Sequence, residues 1–233
     1  MADEIDIRVS PSLHPKIVEE IEGFEELKDV LGATQTAFST AYEGLKAVHN
    51  TREVVGKNPG WTDEQKLLQV DNFAKKHLAK ITQTFDATRN NLERSITYLD
   101  GELSQPVQAR AASSIANQIR DYARQLPSEK LHKFVADAID SGDHDTVTAI
   151  LGAPPYLSGL TADFQKTYLR LYHERSNPAT AKRLKAMRAA KELIEIRAGR
   201  VFIEMERAIG GQSSKANMVR KAQEAAEKAL GGI

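Results

Sequence analysis

The sequence predicts an all-α protein: a long antiparallel helical hairpin, a cluster of short helices and a long C-terminal helix, with a short strand-like arm in front. Three observations carry this. Apolar residues recur in steps of three and four over most of the 233 residues. Proline and glycine gather in a few tight groups, Asn58-Pro59-Gly60, Pro154-Pro155 and Gly210-Gly211, that punctuate the pattern. Aromatic residues are only 6% of the chain against 27% charged, a balance suited to long helices in thin bundles.

Residues 4–9 alternate strictly, with Ile5, Ile7 and Val9 on one side and Asp6 and Arg8 on the other, which is the period of a strand. With no second strand to pair with it, this arm over 1–14 is expected to add to a sheet edge of another subunit. From Ile17 the apolar positions Ile21, Phe24, Leu27, Leu31, Phe38, Tyr42, Leu45, Val48 and Val55 predict one helix of about 40 residues, bent near Gly32 or Gly44. A turn at 56–61 ends it. Thr62 and Gln65 then form a capping-box pattern for a second long helix. That helix carries a heptad: Leu67, Asp71, Ala74, Leu78, Ile81, Phe85, Thr88, Leu92, Ser95 and Leu99. Asp71, Thr88 and Ser95 interrupt its apolar seam and either fix register or mark contact with a third helix. A short turn makes the two helices antiparallel over 15–103.

Residues 104–176 predict short helices with their own core, the first of them beginning at Pro106. Two have apolar stripes, Val107, Ile115, Ile119, Tyr122 and Leu126, then Leu131, Phe134, Val135, Ala138 and Ile139. In 177–233 a long helix runs from 179 to 209. Its segment ELIEIRAGRVFIEME is apolar on two faces: Ile194, Ala198, Val201 and Met205 form one, Leu193, Ile196 and Ile203 the other, with Phe202 between. A helix apolar on two sides is packed on two sides. An alanine-rich helix from Ser214 to Leu230 follows.

Formal net charge is zero, so the chain as a whole is not a polyanion binder. Cysteine is absent, which excludes disulfides, thiolate chemistry and cysteine zinc sites. No leader-like segment follows Met1 and no window of eighteen uninterrupted apolar residues occurs. The expectation is a soluble protein, cytoplasmic when made, without a membrane span. The histidines show no i, i+4 pair and no HExxH. Ser141–Thr146, SGDHDT, is the one local acid–histidine cluster, and its residues read as a turn and a helix cap. GGQSSK lacks the glycine before lysine that a phosphate loop needs. No nucleophile elbow or dinucleotide motif is present. The expectation is therefore no enzyme, no metal, no cofactor and no small-molecule substrate.

The residues read as partner-binding are Ile5, Ile7 and Val9 in the arm; Tyr156, Leu157 and Leu160 in the corner LGAPPYLSGLT; and Leu193, Ile196, Phe202 and Ile203 in the two-faced helix. They point to a structural or assembly protein, a homo-oligomer or a component held by other assembly proteins. The alternative is nucleic-acid binding or packaging through the basic stretch 182–200, where Lys182, Arg183, Lys185, Arg188 and Lys191 precede the first acid, Glu192.

The segments RLKAMRAAKELIEIRAG and KANMVRKAQEAAEKAL, the missing cysteine and the glycine–proline elbows make the chain resemble the helical virion-associated proteins of tailed bacteriophages, which include internal or ejection proteins, scaffolds and connector-associated proteins. That resemblance implies multiple copies in a virus particle, near the portal or the DNA, and no catalysis.

Overall fold

The structure, a computed structural model, describes residues 6–107, 114–211 and 213–231. Ile5 of the expected arm lies outside them. Every regular element among the described residues is helical. The α-helices are α1 (Lys28–Gly56), α2 (Asp63–Glu102), α3 (Ser114–Gln125), α4 (Ser128–Ser141), α5 (His144–Leu151), α6 (Ala162–Ser176), α7 (Pro178–Ile209) and α8 (Ser213–Leu230). They fall into two compact units. One holds the residues up to Glu93 together with Ala186 onward, so it includes both arms of the hairpin and most of α7; the other is Arg94–Lys185.

In the first unit α1 and α2 lie antiparallel. The Phe38 and Phe85 rings are 5.2 Å apart, and Gly44 lets Ile81 approach so closely that a Cβ there would sit 3.0 Å from its Cδ1. Thr62 and Gln65 close the expected capping box: the Thr62 backbone N–H donates to Gln65 Oε1 at 3.0 Å and the Gln65 N–H to Thr62 Oγ1 at 3.3 Å. The heptad of α2 faces inward, with Asp71, Ala74, Ile81, Phe85, Thr88 and Leu92 all buried. α7 packs on the hairpin through Ile194, Val201, Met205 and Ala208, each no more than 2% exposed. Asp71 marks a further helix contact. Its Oδ2 accepts from Arg220 Nη2 of α8 at 2.5 Å and pairs with Lys75 at 3.0 Å. Near that end a groove is lined by Trp61, Gln65, Leu68, Val219 and Ala222.

Two expectations for the N-terminal region are corrected. The arm is not extended over its described residues. Asp6 to Val9 form a turn, followed by a 3-10 helix at Pro11–Leu13. The Asp6 carboxylate accepts from the Arg8 N–H at 3.0 Å, a local bond that competes with strand pairing. The single helix from Ile17 is also not formed. Short 3-10 pieces at Pro15–Glu20 and Phe24–Glu26 precede α1, separated by Gly23 at φ 79°. Steps of three, as in Ile21, Phe24 and Leu27, fit a three-residue turn as well as an α-helix, and a left-handed glycine ends any helix that reaches it. α1 then runs unbroken through Gly32 and Gly44.

The second unit surrounds a core of Ala123, Leu131, Val135, Ile139, Val147, Ile150, Leu151 and Leu160. Gly142 at φ 71° ends α4, and Asp143 caps α5 by accepting from the Thr146 N–H at 3.0 Å. Pro106 and Val107 are not helical, so the next helix after α2 among the described residues starts at Ser114.

Candidate interaction surface

α7 shows how one helix can use one face and leave another open. At 3.6 residues per turn, Ile194, Val201 and Met205 fall on the face turned to the hairpin. Ile196, Gly199 and Ile203 fall on a line rotated well away from it, with Phe202 at its edge. Ile196 is 63% exposed, Phe202 51% and Ile203 58%. Leu193 is half-buried. A Cβ placed on Gly199 would meet nothing within 4 Å, so the stripe has a shallow dent at its centre. Charged residues flank it. Glu195 is paired with Lys191 at 3.7 Å, and Arg200 Nε lies 3.1 Å from Glu204.

Glu204 is 1% exposed. Arg200 and Arg207 lie within ion-pair range of it, at 3.1 and 3.5 Å, although neither of its oxygens accepts an aligned hydrogen bond. His49 of α1, which senses the Glu204 charge, has a buried Nε2 without a hydrogen-bond partner. Burial, helped by the Arg8 charge, holds His49 below the ordinary imidazole range. Asp6 is drawn down to about 2 by its hydrogen bond to Arg8, whose guanidinium also reaches Glu53 at 2.6 Å and Asn50 at 2.7 Å. These groups clamp the N-terminal turn to α1. The Asp6 N–H donates to Tyr42 Oη, and Val9 is 1% exposed. Of the expected arm contacts, Val9 is thus part of the core, while Ile7 is 95% exposed.

The proline corner is tied to α6 by hydrogen bonds. Gln165 Nε2 donates to the Leu151 carbonyl at 2.9 Å and the Ala153 carbonyl at 2.6 Å. Ser158 is fully buried, and Gly159 stands at φ 80°, where a Cβ would lie 3.5 Å from Arg124 Cα. Leu160 enters the core, Leu157 is half-buried, and Tyr156 stands 72% exposed.

Three of the histidines, and the bases from Lys182 to Lys191, have partners in the structure. His132 packs at a tilt against Phe164 and bonds Tyr168, His144 bonds Tyr172, and His173 bonds the Gln105 carbonyl. No group of three metal-ligating side chains occurs among the described residues. In the basic stretch Lys191 pairs with Glu93 and Glu195, and Lys182, Arg183, Lys185 and Arg188 each have an interaction of their own. The buried Glu204 was not singled out from sequence. Its only signal there was an acid placed between Val201 and Met205 on the inward stripe.

The fold and these surfaces define an all-α protein with an uncovered apolar helix face. No family model, curated protein or solved structure matches the chain. No described helix is long and apolar enough to cross a membrane.

Proposed function

We propose that the protein is a non-enzymatic assembly component that holds helical neighbours through the outer face of α7. The observation that carries this is the exposure of Ile196, Phe202 and Ile203 on a helix whose other apolar face buries Ile194, Val201 and Met205. Large apolar side chains gathered on one rigid surface mark a place where a partner removes water. Covering these three gains on the order of 3 kcal/mol before association costs. Tyr156, displayed on the hydrogen-bonded corner, is a second contact of the same kind.

Membership of a virus particle is the finer form of this proposal and rests on the resemblance of the alanine- and lysine-rich segments. The test is sedimentation of the chain in extracts of cells that make it. A heavy species that Phe202→Asp/Ile203→Asp returns to single-chain size supports assembly through α7. A single-chain species in extract and in purified form overturns it. Duplex DNA binding that falls steeply with salt and vanishes when Lys182, Arg183, Lys185 and Arg188 become Glu would replace it with nucleic-acid binding.

A further inference from the structure

We infer that the occupant of the α7 face is a second copy of this chain, lying parallel and in register with the first; this rests on the assembly reading above. The argument is the order of residues around the stripe. With Ile196 and Ile203 at the a positions of a heptad, Gly199 takes d. Glu195 and Phe202 take g, and Arg200 and Arg207 take e. In a parallel pair each g side chain faces the e side chain five residues further along its partner. Glu195 of each copy then meets Arg200 of the other, and Phe202 meets Arg207, a guanidinium on an aromatic face. The helix thus supplies both members of each pair itself. An antiparallel pair sets g against g and e against e, which brings arginines together and joins no opposite charges.

The shape agrees. Branched Ile stands at both a positions, and Gly199 removes the side chain at the centre so the backbones can close. Glu192 and Glu206, one heptad out at d on either side, set like charges against each other. They confine close contact to the two turns from Ile196 to Ile203, so the dimer is weak and concentration-dependent. Glu195 leaves Lys191 for the partner copy, whereas Arg200 keeps its Nε beside the buried Glu204 and turns its Nη groups to the incoming Glu195, so Glu204 retains a counter-charge.

The absence of cysteine gives a clean test. In the full chain, Ile196→Cys and Ile203→Cys are each expected to form disulfide dimers under mild oxidation, because a faces a in a parallel pair. A mixture of the two variants that cross-links more readily than either alone overturns the parallel arrangement. By sedimentation equilibrium the parent mass should climb with concentration. Glu195→Arg, with helicity unchanged by circular dichroism, should weaken the dimer about tenfold. A purified parent that stays single-chain overturns the second copy. If extracts still show a heavy species that Phe202→Asp/Ile203→Asp abolishes, the assembly reading stands with a foreign helix in the groove.

Discussion

Asp71 is a carboxylate inside a helix bundle, and its neighbours decide what each substitution does. Arg220→Met removes the closest partner from a group 1% exposed and leaves Lys75 alone to balance it. A loss of about 2–3 kcal/mol is expected in urea unfolding, below the full cost of an unpaired buried charge. Asp71→Leu/Arg220→Met should recover most of it, because no buried charge then remains. The pH response belongs to other residues. Burial holds His49 and His77 below the ordinary imidazole value. The unfolded chain therefore takes up these protons first, so their stability is complete above about pH 6.5 and is lost as pH falls below it. Thermal melts from pH 7.5 to 5 should show that decline, and His49→Gln/His77→Gln should flatten it. Asp6, drawn down to about 2, acts lower. Its contribution, of order 1 kcal/mol, is present above about pH 4 and lost toward pH 2.

At the scale of elements, glycine separates two kinds of helix position. Gly32 lies within α1 with nothing within 4 Å of an added methyl, whereas Gly44 faces Ile81. Gly32→Ala should raise stability by about 1 kcal/mol through helix propensity. Gly44→Leu should lower it by about 1–3 kcal/mol by forcing α1 from α2. Both are read as shifts in denaturant midpoint. Gln165→Ala should cost about 1–2 kcal/mol and speed amide exchange over 152–160, since two carbonyls lose their donor. The α2 seam was legible because a strict heptad can bury only one line, and of the two roles open to Asp71 the structure shows contact with a further helix, α8. The N-terminal pieces were not legible as 3-10 turns because steps of three serve both helix types. The alternation at 4–9 misled because, over its described residues 6–9, the Asp6–Arg8 turn meets backbone needs locally. The two apolar faces of α7 were readable in sequence. Which of them the chain itself covers was not, because that depends on where the hairpin lies.

At the scale of the whole molecule, the chain divides into two units with separate cores. Val18, Phe38, Ile81 and Ile194 belong to one, and Val135, Ile150 and Leu160 to the other. The division crosses α2 and α7, so sequence boundaries drawn at turns do not coincide with it. The groove beside α8 has an optical consequence. Trp61 is the only tryptophan of the protein and lies there with Val219 and Ala222. Its emission therefore reports the seating of α8 on α2, while helical ellipticity reports every helix. Coincident fluorescence and ellipticity transitions are expected if the units unfold together. A red shift that precedes the loss of ellipticity would measure the detachment of α8 by itself, with a single native indole as the probe and no label added.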